Sequence, residues 1–244
     1  GVRFSCVRLG TTPTLGYLVA LETGRILDEM RRLLLSQCSM PITVELLLEK
    51  ARDEAEMHLH RDFFDDLLNG EMTGEIALRR AKAYGIDLSG CHCVVVADID
   101  SLAMRFLKTG EEEEVQRLKE GLRKLAGTLV ESEAEGGTVV SRSDSVAVLP
   151  RFRETGREQV LARAKHLAQR TCQEAAHRLG PATVSVGVGA YCANPSELAR
   201  GFQTAQAAIE IGRRIRGPSA AHCWDELGPF HLLFGMKDSG EARA

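Results

Sequence analysis

Between residues 91 and 224 the spacing of apolar residues switches repeatedly between strand and helix periods, and that order restricts the fold more than any other feature of the chain. Cys91 to Asp98 reads as a strand, and Glu111 to about Val130 as an amphipathic helix with Val115, Leu118, Leu122, Leu125 and Leu129 inward. Gly137 to Leu149 reads as two strands around Arg142-Ser143-Asp144. A helix with Val160, Ala164, Leu167, Thr171 and Ala175 on one face follows, and Gly180-Pro181 stops it before a strand from Thr183 to Gly189. Asn194, Pro195 and Glu197 form a helix-starting pattern of cap, first-turn proline and capping carboxylate. Leu198, Phe202, Ala205, Ile209 and Gly212 make the inner stripe of that helix, and about Ala220 to Trp224 is a last strand.

The order β-α-β-β-α-β predicts an α/β chain of the α+β kind, an antiparallel ferredoxin-like sheet with flanking helices, extended by a further helix and strand. Upstream, Val2 to Leu9 and Leu15 to Leu21 flank the turn-rich Gly10-Thr11-Thr12-Pro13-Thr14 and predict a hairpin, too little sheet to stand alone. Helical spacing then runs through Ile26, Leu27, Met30, Leu33 and Leu34 and, after Pro41, through Val44, Leu48, Ala51, Ala55, Leu59, Phe63 and Leu67. Pro41 is expected to kink or divide this stretch. Its apolar stripe fits either a second copy of the chain or the chain's own domains, and a homodimer contact is expected at Leu48 and Leu59. A short helix from about Gly74 to Tyr84 follows, with Gly85 as its left-handed cap.

Composition removes several classes. No run approaches the roughly 20 apolar residues of a membrane helix and the start lacks a signal-peptide pattern, so no membrane partner and a cytoplasmic location are expected. The seven cysteines, at 6, 38, 91, 93, 172, 192 and 223, are odd in number and lack paired spacing, which suits reduced thiols. Cys91-His92-Cys93 is too tight for a zinc pair and reads as buried or edge cysteines. A net charge of -3 lacks the basic excess that grips duplex DNA, so the DNA-contacting surface is not expected within this chain.

Several runs carry a family resemblance. "VVVADIDSLAMRF" resembles the strand of a GGDEF cyclase domain that bears a metal-binding Asp-x-Asp, "TVSVGVGA" its T-x-S-x-G-x-A strand, and "FQTAQAAIEIGRR" its A-D-x-A-L-Y-x-A-K-x-x-G-R helix. The signature hairpin differs: Arg142-Ser143-Asp144-Ser145-Val146 stands where the family has Gly-Gly-Asp-Glu-Phe. "FFDDLLNGEMTGEIALRRAKAYGIDL" and "DELGPFHLLFG" resemble regulators of the PucR/CdaR type, which carry a degenerate GGDEF-like domain and continue into a helix-turn-helix. "TLGYLVALE" resembles the end of their GAF-like sensor.

This resemblance implies four parts: 1–22 the end of a sensor, 23–90 a helical linker and dimerisation region, 91–234 the degenerate GGDEF-like domain, and 235–244 a tail toward a missing helix-turn-helix. It implies a regulatory and dimerisation module that relays an unknown small-molecule effector to promoter DNA through the absent C-terminal domain. A nucleotide cyclase needs hairpin glycines for close approach to phosphate and carboxylates for metal. Arg142, Ser143 and Ser145 break that pattern, and Phe106-Leu107 replace a base-contacting Asn-Asp. No enzyme, no catalytic residue, no cofactor and no metal are therefore expected, with Asp98 and Asp144 as vestigial metal ligands. The alternative is a metal-nucleotide-binding or cyclase-type domain using those two carboxylates. Arg213-Arg214-Ile215-Arg216 is the most basic patch, explained by the negative end of its helix or by phosphate contact.

Overall fold

The structure, a computed structural model, describes residues 3–10, 14–22, 29–88, 92–101, 112–142 and 145–230. It divides into two compact units, Gly1–His60 and Arg61–Ala244. The first holds the antiparallel hairpin of β1 (Arg3–Leu9) and β2 (Gly16–Glu22), in register from Arg3 opposite Glu22 to Leu9 opposite Gly16. It also holds the first part of α1 (Glu29–Asn69). Pro41 does not end this 41-residue helix, contrary to the sequence expectation of a division. Hydroxyls beside it bond backbone carbonyls: Ser39 Oγ donates to Ser36 O at 2.6 Å and Thr43 Oγ1 to Ser39 O at 2.7 Å.

The second unit begins with the last turns of α1 and continues through α2 (Gly74–Ala83), β3 (Val95–Ile99), α3 (Glu112–Glu133), β4 (Gly137–Ser141) and β5 (Ser145–Pro150). Then come α4 (Arg157–Arg178), β6 (Val184–Val188), α5 (Leu198–Arg216) and β7 (Ala221–Cys223). The sheet order is β4-β5-β3-β6-β7, with β7 parallel to β6 and the other pairs antiparallel. This is the expected split β-α-β arrangement with one added edge strand. Strand β3 begins at Val95; before it His92 O and Val94 O accept from Cys192 N and Gly189 N outside the regular ladder, and Cys91, where the sequence expectation began, lies outside the described residues.

Helices cover both faces, which is why β5 and β6 are buried at every residue. One face packs Val95, Ala97 and Ile99 against Leu122, Leu125 and Leu129 of α3 and Val160, Ala164 and Leu167 of α4. The other packs Val94, Val96 and Ala147 against Phe202, Ala205 and Ile209 of α5 and against Phe63, Phe64, Leu67 and Leu68. The end of α1 is thus part of this core. Asn194 does cap, but it caps a single 3-10 turn, Pro195–Glu197, that leads into α5: Asn194 Oδ1 accepts from Ser196 N and Glu197 Oε2 accepts from Ala193 N, while α5 itself begins without a side-chain cap. Gly85, at φ +69°, is left-handed after α2.

Two buried groups give predictions. Burial pushes the Cys172 thiol up to about 12 and Cys223 to about 11. Cys6 and Cys38 are exposed. Alkylation of the native protein, read by mass spectrometry, is expected to modify Cys6 and Cys38 at least about tenfold faster than Cys172 and Cys223. Equal rates would show that these cores open freely.

His222, on β7, is fully buried, and neither ring nitrogen makes a well-formed hydrogen bond among the described residues. A side chain at Gly212 of α5 would meet its ring at 2.2 Å, so the glycine is what admits the imidazole. Burial lowers its pKa from the usual 6.5, with the cations Arg216 and Arg213 acting in the same direction and Asp100 against it. The unfolded chain therefore binds this proton more readily, so stability is complete above about pH 6.5 and falls as pH drops toward the folded-state value. Urea unfolding at pH 7.5 and 5.5 is expected to show a loss of up to about 1.4 kcal/mol per pH unit, reduced in His222→Leu. An identical pH slope in the variant would place the acid sensitivity elsewhere.

Candidate functional site

The alternation of β3 sends Val96 and Asp98 to the α5 face of the sheet. There they meet Ser145 at the start of β5 and the last turns of α5. Together they line a cleft of about 310 Å³ with Gln206, Ile209, Glu210, Arg213 and Arg214. Ser145 is buried, and its hydroxyl is shielded from solvent with no hydrogen-bond partner among the described residues. Buried hydroxyls in that condition are commonly satisfied by an ordered water or a bound group.

The charge in this cleft is organised around Arg213. Its Nη1 lies 2.7 Å from Asp98 Oδ2, and its Nη2 lies 2.6 Å from Asp100 Oδ1 and also reaches Asp98 O at 3.3 Å. Asp100 is 7% exposed. Its Oδ1 also accepts from Ser185 Oγ at 2.6 Å and its Oδ2 from Ser219 N at 3.1 Å. One guanidinium therefore bridges two carboxylates, a geometry its fixed fork of donors suits.

A magnesium ion, which the sequence resemblance associates with Asp98, needs near-octahedral oxygen ligands at about 2.0–2.1 Å. This donor set does not fit it: the facing oxygens of Asp98 and Asp100 are already taken by Arg213 nitrogens. Among the described residues no group of three or more His, Cys, Asp or Glu side chains is placed to hold a metal ion. Asp144, the other vestigial ligand expected from sequence, lies outside the described residues, as do Ser143, Phe106, Leu107 and the tail 235–244.

Arg142 occupies the first position of the degenerate hairpin and turns its side chain out of the cleft. Its Nη1 is 3.2 Å from Asp65 Oδ1, its Nη2 donates to Asn69 Oδ1 at 3.3 Å, and the guanidinium lies 4.8 Å from the Phe202 ring centre. The residue that replaces a glycine thereby ties the hairpin to the end of α1 and to α5. Leu48 and Leu59 lie on α1, 59% and 51% exposed, in the other unit. A second cleft, of about 420 Å³, lies between α3 and the end of α4 beside Arg117 and Arg178. Though larger, it has no buried polar side chain lacking a partner.

A five-stranded sheet of split β-α-β order, with a charged cleft at the carboxyl end of its central strand, defines the class as an α+β domain. Residues 69–211 match the family model described as "GGDEF-like domain", and the chain belongs to that family. The solved structures it resembles include the GGDEF domain of DgcB from Caulobacter crescentus in complex with c-di-GMP, at 18% identity and TM-score 0.41, covering 68% of this chain and 91% of that one. The coiled coil and GGDEF domain of the same protein matches at 19% identity and TM-score 0.45, covering 80% and 100%. Diguanylate cyclase SiaD in complex with its activator SiaC, from Pseudomonas aeruginosa, matches at 17% and 0.40, covering 80% and 77%. No curated protein matches the chain significantly.

The expectation that the chain is not an enzyme is corrected by these comparisons. It rested on Arg142, Ser143 and Ser145 in the hairpin and on Phe106-Leu107, whereas the chain around them matches the GGDEF-like family. Substitutions at these positions do not by themselves exclude catalysis. No helix among the described residues is long and apolar enough to cross a membrane.

Proposed function

We propose that this chain carries a nucleotide-binding domain of the cyclase type, with the phosphate-bearing ligand in the cleft of Asp98, Ser145, Arg213 and Arg214. The observation that carries this reading is the buried Ser145 hydroxyl, without a partner among the described residues, in the wall of a cleft that two guanidinium groups also line. Guanidinium donors match phosphate oxygens in pairs, and a hydroxyl supplies the further polar contact that orients a ligand. Calorimetric titration of the whole chain with GTP and with cyclic di-GMP tests it, with chromatography of the same samples reading any conversion. Saturable binding weakened by Ser145→Val and Arg214→Glu supports the reading. Absence of binding of either nucleotide contradicts it.

A second reading, favoured by α1, concerns what the nucleotide site reports to. Met30, Leu33, Leu34, Val44, Leu47, Leu48 and Leu59 are all exposed on that helix. Such a stripe on a long helix is suited to a second copy of the chain. Together with the PucR/CdaR-like runs, it supports a regulator that dimerises through α1 and relays an effector to promoter DNA through a further domain. Leu48→Glu combined with Leu59→Glu places four charges in a symmetric interface and is expected to weaken the dimer by about 1,000-fold, roughly 4 kcal/mol. Light scattering should show dimer for the native chain and monomer for the variant, with unchanged circular dichroism. A native chain that is monomeric at high concentration would contradict this interface.

A further inference from the structure

The Asp98 and Asp100 carboxylates sit where the sequence resemblance leads one to expect a divalent cation, yet their charge is already balanced. Arg213 Nη1 and Nη2 approach them at 2.7 and 2.6 Å. Guanidinium keeps its charge at every pH a protein experiences, so this balance is permanent where a metal ion would come and go. Asp100 has no free capacity to turn toward an ion, since Ser185 Oγ and Ser219 N hold both its oxygens from the sheet side. Arg213 itself is fixed from behind: it stands one residue after Gly212, whose lack of a side chain admits the His222 ring and lets α5 lie close to β7.

We propose that Arg213 is the resident cation of this cleft, standing in for a divalent ion between Asp98 and Asp100, so that a phosphate-bearing ligand is bound there without metal. This rests on the nucleotide reading above for its ligand, but the statement about the cation stands on the side chains alone. It differs from a helix-end role for Arg213, which would leave Asp98 open to solvent and ions. Arg214, whose guanidinium is exposed and paired with Glu210 on the same helix face, is then the cation that phosphate meets.

Manganese titration of the whole chain, followed by the electron paramagnetic resonance signal of the free ion, tests the cation directly. The native chain is expected to bind no manganese up to about 1 mM. Arg213→Ala is expected to take up one ion with affinity at least about tenfold tighter than the native chain, and Asp98→Asn in that background to abolish it. Manganese binding by the native chain that Asp98→Asn removes would overturn the proposal. So would a folded Arg213→Ala variant that gains no binding. Should that variant unfold, the native chain still decides: GTP affinity in chelator and in magnesium is expected to agree within about twofold, and a gain of about tenfold or more from magnesium would overturn the proposal. If GTP fails to bind under either condition, the nucleotide reading falls while the manganese result still judges Arg213.

Discussion

Gly187→Ala is expected to cost about 3 kcal/mol or more in urea unfolding, because a methyl group at that position of β6 would sit 2.1 Å from Ala205 O and 2.8 Å from Ile209 Cγ1. The obstacle is backbone, which cannot rotate aside as a side chain does. The helix must therefore lift off the sheet, opening a core packed near crystal density. Since α5 also carries Gln206, Glu210, Arg213 and Arg214, the same change is expected to weaken ligand binding at the cleft. Gly127→Ala is the control: an added methyl on α3 meets nothing within 4 Å, and replacing a helical glycine there is expected to stabilise by about 0.5–1 kcal/mol. Equal effects at the two positions would show that α5 does not approach the sheet as described.

Asp100→Ala is expected to lose about 2–4 kcal/mol. The change leaves Ser185 Oγ and Ser219 N without their carboxylate and takes one of two partners from Arg213. The figure lies below that of a wholly buried ion pair because Arg213 and Asp98 keep partial solvent contact, 28% and 23% of their side chains. Arg214→Ala removes an exposed pair on one helix and is expected to stay within about 0.5 kcal/mol of the native chain. A loss below about 1 kcal/mol for Asp100→Ala would mean that the network contributes little to holding β3, β6 and α5 together.

Much of the fold is legible in the sequence because it depends on local periodicity and turn chemistry. The strand ends at Gly137–Ser141 and Ser145–Pro150, the cap at Asn194 and the left-handed Gly85 follow from residues a few positions apart. The site is legible only in part. Asp98 and the altered hairpin stand out, but Arg213 reads from its neighbours as a cation at a helix end, and its contact with Asp98 O spans 115 positions of sequence. Likewise a missing glycine at Arg142 is visible, while the partnership of its guanidinium with Asp65, Asn69 and Phe202 is not. The Asp65-Asp66 pair at the end of α1 is the one signal that points toward a cation there. Pro41 misleads because a proline removes one backbone bond, and a helix with many turns on either side can run through it, as α1 does.

The claim that a nucleotide occupies the cleft between β3, β5 and α5 is tested most directly by amide hydrogen exchange of the whole chain with and without saturating GTP. Slowed exchange is expected at Val96–Asp98, at Ser145–Val146 and over Gln206–Arg214, with the second cleft near Arg117 and Arg178 unchanged. Protection confined to that second cleft, or none anywhere at concentrations where GTP is in large excess, would contradict it.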